Sequence, residues 1–300
     1  MVTRLTILGA KGGPAIRPGG PNPTSHLVEL GGKIIVVDCG LGVTRGLVDA
    51  GVSLKDIDLV VITHLHSDHV LELGPLVHTA WASGLDRSVR MLGPEGIGGY
   101  WSGFLDMMGY DIATRITDEG RPNLPHLVQA ETYSEGVVLE ETGLTITALR
   151  NHHPPVTESY ALRLSYGERT IVFSGDTAPM DGLARFADGA DILVHEAMLA
   201  DGLDRLIART GNASRLRAHL LASHSFAEDA GRVATAAGVA HLVLSHLIPA
   251  DDPEIGVDDW TTAIRPTWSG PLTIARDGLS IDLTLPPPRE RPAPHEARNA

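Results

Sequence analysis

VVITHLHSDHVLE, residues 60–72, carries an apolar, β-branched run straight into His64, His66, Asp68 and His69. Val60, Val61, Ile62 and Thr63 read as a buried strand, because β-branched residues fit the pleated sheet. Its carboxyl end therefore delivers four metal-type side chains. His64 and His66 are two apart on extended chain and point to one side. Asp68 and His69 follow where the chain turns into a helix and can face a second point nearby. Neutral imidazole suits zinc, iron or manganese, and carboxylate suits harder ions. The loop thus offers two metal positions. It cannot close both, since a catalytic zinc takes about three protein ligands plus water.

The missing ligands are expected where other apolar runs end in a ligand type. Three stations qualify: Asn151-His152-His153-Pro154 after Leu144–Arg150, Ser174-Gly175-Asp176 after Arg169–Phe173, and Ser245-His246 after Leu242–Leu244.

Composition narrows the classes. With 24 Lys and Arg against 37 Asp and Glu, the net charge of the 300 residues is −13. That disfavours a nucleic-acid partner, which needs clustered cations. One cysteine, Cys39, excludes an internal disulfide and fits a reducing compartment. No secretory signal and no apolar run of membrane-spanning length is read, so a cytoplasmic protein is expected. Cys39 itself reads as a small buried apolar residue.

Outward from residues 60–72, strands are expected at Thr3–Leu8, His26–Leu30, Lys33–Asp38, Ser88–Leu92, Leu127–Ala130, Val137–Glu140, Leu144–Arg150, Tyr160–Tyr166, Arg169–Phe173, Ile192–His195 and Leu242–Ser245. Leu272–Ala275 and Ser280–Leu283 read as a last hairpin. Gly40–Gly51, Leu71–Ser83, Ser225–Ala237 and Asp258–Trp268 have helical patterns. Gly9–Pro23, rich in Gly and Pro, is a loop, and Gly12–Pro23 could line the mouth of a site or lie idle on the surface. Residues 95–123 concentrate Tyr100, Trp101, Phe104, Met107, Met108 and Tyr110, although aromatics make up 4% of the chain. This stretch is expected to be a helical cap or a dimer interface. Two strand groups with helices outside imply an α+β, four-layer αββα sandwich of two mixed sheets. One domain over 1–285 is expected, followed by a disordered tail at 286–300.

Taken together, HLHSDH at 64–69, NHHPPV at 151–156, SGDT at 174–177 and LSHL at 244–247, with the strand ending in Asp38, resemble the metallo-β-lactamase superfamily. HEA at 195–197 and HSFAEDAG at 224–231 are similar to motifs of its branch holding RNase Z and the arylsulfatase-like hydrolases. The resemblance covers residues 3–285. It implies His64, His66 and His153 (or His152) at one metal, Asp68, His69 and His246 at the other, and Asp176 bridging them. Two divalent ions are implied, zinc first, with manganese or iron as alternatives. Metals about 3.5–4 Å apart would activate a bridging hydroxide. Asp38 would orient ligands, unless it merely forms a turn. By the same resemblance, His224, held by Glu196, would serve with Asp68 in catalysis, His224 as general acid; the alternative is an ordinary residue at a helix start. His195, His26, His78, His126, His219 and His241 read as structural or surface residues.

In RNase Z a long arm that grips transfer RNA lies between the third histidine and the bridging aspartate. His153 and Asp176 are 23 positions apart, filled by a hairpin. The expected substrate is therefore a small ester: an aryl or carboxylic ester, lactone, sulfate ester or phosphodiester. Trp101, Phe104, Met107 and Met108 are the candidate pocket wall. A homodimer is expected. The alternative is an RNase Z-like RNA-processing endonuclease or RNA-directed member of the fold.

Overall fold

The computed structural model describes residues 2–210 and 213–283; the tail expected at 286–300 lies outside them. In chain order the strands and helices begin β1 (Arg4–Gly9), β2 (Ser25–Leu30), β3 (Lys33–Cys39), α1 (Val43–Asp49), β4 (Leu59–Val61), α2 (Ser67–Val70), α3 (Leu73–Ala82), β5 (Val89–Gly93), α4 (Ile97–Glu119), α5 (Leu124–Leu127) and β6 (Val128–Thr132). The second half runs β7 (Gly136–Glu141), β8 (Leu144–Arg150), β9 (Tyr160–Tyr166), β10 (Arg169–Phe173), α6 (Asp181–Phe186), β11 (Ile192–Met198), α7 (Leu203–Thr210), α8 (Ala213–Ser223), α9 (Ala227–Ala237), β12 (Leu242–Ile248), α10 (Val257–Ile264), β13 (Leu272–Ile274) and β14 (Ser280–Asp282).

Two seven-stranded mixed sheets result, in the orders β14-β1-β2-β3-β4-β5-β6 and β13-β12-β11-β10-β9-β8-β7. Each changes from antiparallel to parallel pairing part-way across, at β3–β4 in the first and β10–β11 in the second. Strand alternation builds the layers. Ile35 and Val37 of β3, and Leu59 and Val61 of β4, face the core between the sheets, while Val36 and Val60 face the outer core under α1, α3 and α4. In β11 and β12, Val194 and Val243 face the inner core, and Leu193, Leu242 and Leu244 pack under α9 and α10. This is the expected αββα sandwich of two mixed sheets.

The β2–β3 turn pairs Leu30 with Lys33 across Gly31 (φ 62°) and Gly32 (φ 79°). Both turn residues need positive φ, which glycine supplies without a Cβ clash.

The last hairpin is a correction. β13 pairs with β12 in the second sheet and β14 with β1 in the first. The intervening turn bridges the two sheets: Gly278 N donates to Ile7 O at 2.8 Å, and Asp277 accepts from Ala10 N at 3.1 Å and Asn22 N at 2.8 Å. Local turn chemistry at Asp277-Gly278 looks like a hairpin but does not say which sheet each arm joins.

The aromatic stretch at 95–123 is mostly one 23-residue helix, α4. Trp101 and Phe104 are buried in the outer core with α3, stacked at 5.7 Å and 15°, with Phe104 lying over Gly74. No helix among the described residues is long and apolar enough to cross a membrane.

Candidate metal centre and its cavity

At one rim of the sandwich, the ends of β3 and β4 meet those of β8, β10 and β12. Buried strands fix their last residues firmly, so side chains just beyond them are placed with little freedom. His64, His66, His153 and Asp176 form one group whose ligand atoms lie within 4.8 Å of one another, and Asp68, His69, Asp176 and His246 form a second. Asp176 belongs to both. The structure brings His153 into the cluster, buried, while His152 is exposed.

The second nitrogen of several imidazoles is tied down, which fixes ring orientation and tautomer. His69 Nδ1 donates to Asp38 Oδ2 at 2.8 Å and His153 Nδ1 to the Ser223 carbonyl at 2.9 Å. His64 Nδ1 lies 3.2 Å from Thr63 Oγ1. Asp38 also accepts from Thr63 N at 2.8 Å, so one carboxylate aligns the histidine loop with β3. Asp38 has φ 61° and His246 φ 46°, backbone conformations that cost energy in non-glycine residues and cluster at functional sites.

The donor set fits metal ions. His64 Nε2, His69 Nε2 and Asp176 Oδ1 are buried without a hydrogen-bond partner, a costly arrangement unless something else engages them. His153 Nε2 and His66 Nδ1 face each other at 3.1 Å, where two lone pairs repel unless a proton or cation lies between. Burial holds His64 well below the usual imidazole value, with the charge of His69 adding to the effect, and lowers His66 to about 4. These rings are neutral near pH 7, as ligands must be. The other group demands positive charge. Burial opposes it, yet Asp176 and Asp68 lift His246 to about 10. Burial would also raise the Asp68 and Asp176 carboxyls, but His69 and His246 hold both below their usual range.

Beside this cluster, Glu196 Oε1 accepts from Thr177 N at 2.5 Å, and Glu196 Oε2 accepts from His224 Nδ1 at 2.9 Å. Burial works against a charge on His224, but Glu196 outweighs it and the imidazole is raised above its ordinary value. Its ring stacks on His246 at 5.4 Å and 17°.

A cavity of about 340 Å³ opens onto Asp68, Asp176, His66, His224 and His246. Its remaining walls come from the loop after β1, including Lys11 and Arg17, and from α7 and α8 through Leu206, Leu216, His219 and Leu220. Trp101, Phe104, Met107 and Met108 do not line it. The first two are core residues, Met108 packs half-buried against the same core, and Met107 is 71% exposed, so the wall of this cavity is α7–α8 and not the expected stretch. Sequence reading missed this wall, because residues 199–224 show only an ordinary amphipathic pattern. It also missed His219, whose ring lies 5.6 Å from that of His224. His219 stands five residues before His224, a spacing that carries a signal only with the helix in view.

A family model described as anti-Pycsar protein Apyc1 matches residues 4–208. A protein named Ribonuclease Z from Mycobacterium bovis (strain BCG / Pasteur 1173P2) is 30% identical over 282 residues, 93% of this chain and 98% of its own. Another of that name, from Mycolicibacterium paratuberculosis, is 34% identical over 249 residues, 82% of this chain and 86% of its own. Among solved structures, the metallo-beta-lactamase fold protein YhfI from Bacillus subtilis superposes with a TM-score of 0.68 at 25% identity, covering 94% of this chain and all of that one.

Proposed function

The chain belongs to the metallo-β-lactamase superfamily, in the family of the anti-Pycsar protein Apyc1, and on that premise we propose that this hydrolase is a dinuclear metal-dependent phosphodiesterase. The Glu196–His224 pair beside a complete donor set carries this reading. An alkoxide leaving from phosphorus is strongly basic and gains from a positioned acid, worth ~10²–10⁴ in rate. Aryl and acyl leaving groups need one far less. The name Ribonuclease Z, borne by the relatives, also supports a phosphodiester bond. The order of substrates expected from sequence is thereby reversed: the RNA-type phosphodiester alternative moves ahead of carboxylic and sulfate esters.

His64, His66, His153 and Asp176 would hold one ion, and Asp68, His69, His246 and Asp176 the other. Such ions supply Lewis-acid charge and lower the pKa of water; zinc is the first expectation from the imidazole-rich set, with manganese or iron behind it. Asp38 keeps His69 in the tautomer whose Nε2 faces the site. His224, its Nδ1–H held by Glu196, turns Nε2 to the leaving oxygen and donates a proton there. Glu196 balances the charge that His224 carries before the transfer.

A second reading, a small phosphodiester rather than an RNA strand, is favoured by the bounded cavity under α7–α8. Met107 and Tyr110, 71% and 88% exposed on α4, support the homodimer. The test is a panel of bis(4-nitrophenyl) phosphate, 4-nitrophenyl sulfate, 4-nitrophenyl acetate and a transfer-RNA precursor, run with added zinc or manganese. Turnover of a phosphodiester or the RNA is expected. Turnover of the sulfate or acetate alone overturns the reading.

A further inference from the structure

Lys11 is 4% exposed and lines the same cavity as Asp68 and His246. Its ammonium donates to the carbonyls of Gly12 and Gly13, both at 3.1 Å, and leaves one N–H uncommitted to them. Among the described residues, no carboxylate oxygen lies within 4 Å of it. Asp251 and Asp68 act on it only from beyond contact distance; burying a charge without a contacting counterion is costly, and the cost is conspicuous in a chain of net charge −13, where carboxylates are plentiful. An incoming anion would remove it.

The loop is rigid and abuts the centre. Lys11 N donates to Asn22 O at 3.0 Å, Gly12 N to Leu247 O at 3.1 Å, and Gly13 N to Asp68 Oδ2 at 2.7 Å. Gly12 packs so closely on His246 that a Cβ would lie 2.7 Å from the ring; only glycine allows that approach. At the rim, Arg17 Nε lies 2.8 Å from Asp251 Oδ2, and Arg209 pairs with the same carboxylate. Around Lys11 two guanidiniums, Arg17 and Arg209, face two carboxylates, Asp251 and Asp68, so the Lys11 ammonium is itself the surplus charge.

We propose that Lys11, with Arg17 at the rim, forms an anion subsite next to the metal centre, so that the preferred substrate carries a second negatively charged group beside its scissile phosphodiester. This rests on the phosphodiesterase reading. Lysine serves here as a point charge for a phosphate-type anion, with the arginine adding a fork of donors. The second group is a further phosphate of the same molecule, as the neighbouring phosphate of an oligonucleotide is. Lys11 and Arg17 are specificity-determining residues in this account, and they bind and orient without taking part in bond breaking.

The metal-loaded full chain is assayed on thymidine 5′-(4-nitrophenyl phosphate) with and without a 3′-phosphate. The 3′-phosphate is expected to lower KM about tenfold, the worth of one good charge-assisted contact. Lys11→Met erases that preference with metal content intact, Lys11→Arg keeps most of it, and Arg17→Gln weakens it about threefold. Equal KM for the two compounds in the unaltered protein, or a preference unchanged in Lys11→Met, overturns the subsite. Should Lys11→Met not fold, an undiminished preference in Arg17→Gln overturns it. Failure to turn over either compound counts against the phosphodiesterase reading instead. Calorimetry then decides the subsite: thymidine 3′,5′-bisphosphate binding more tightly than thymidine 5′-monophosphate, with the difference lost in Lys11→Met, supports it, and equal affinities overturn it.

Discussion

Helix α4 and the α7–α8 pair are both helical additions to the sandwich, yet they do opposite work. α4 holds the densest aromatic and Met content of the chain and spends Trp101 and Phe104 on the outer core over α3. α7 and α8 carry no aromatic ring larger than that of His219, and they wall the cavity over the candidate metal ligands through Leu206, Leu216 and Leu220. Apolar content therefore marks where surface must be buried. Proximity to a site depends on where a segment is spliced between strands. α7 and α8 lie between β11 and β12, which carry Glu196 and His246; α4 lies between β5 and β6, which carry none of the clustered histidines or carboxylates.

The largest expected effect lies at the centre that α7–α8 cover. Asp176→Ala removes the carboxylate shared by both donor groups, and bound metal should fall below one ion per chain with activity lost by at least ~10³. Elemental analysis beside a diesterase assay checks it; two ions retained would break the bridging role given to Asp176. Next, His224→Ala should keep its metal but slow a diester with an alkyl leaving group by ~10²–10⁴, and a nitrophenyl diester far less. Equal losses on both would remove the proton-donor role.

The two helical regions then separate by readout. Trp101→Ala in α4 should cost ~3–5 kcal/mol of stability without altering KM, measured by denaturant unfolding and steady-state kinetics. A Leu216→Ser, Leu220→Ser variant should raise KM by about tenfold, as roughly 1–2 kcal/mol of apolar contact is lost. A KM effect from α4 would reinstate it as a pocket wall.

Per pH unit, the smallest stability effect is a slope at acid pH. Burial pushes His26 down to about 3, beside Phe173 and Ser245. Unfolded, it titrates near 6.5. The unfolded chain thus binds the extra proton, so this contribution is intact above pH ~6.5 and is lost as pH falls toward 3, at up to ~1.4 kcal/mol per unit. His26→Gln should flatten the acid limb of a stability profile by about one proton; an unchanged limb would show that His26 does not carry it.

The clustered side chains were legible because each comes at the end of a β-branched or apolar run in the sequence. His64, Asp176 and His246 obey that rule, and Asp38, which holds His69, does too. His153 stood out from His152 only by resemblance, and burial separates them. The split of β13 and β14 was not legible, since the Asp277-Gly278 turn carries hairpin chemistry whichever sheets its arms join. The cavity wall was hidden for a similar reason. Leu216 and Leu220 have the spacing of any amphipathic helix, and nothing in that spacing tells a core from a cleft. Lys11 was passed over because a lysine in a Gly-rich loop ordinarily reaches into water.

The position of Asp176 also has a mechanical consequence. His64, His66, Asp68 and His69 hang from the first sheet, and His153, Asp176 and His246 from the second. Ions gripped from both sides would act as rivets between the layers at that rim. Chelation should therefore unzip the sandwich from one end. Amide exchange should quicken first in the residues just after β4 and β10, and last in the middle of β3 and β9.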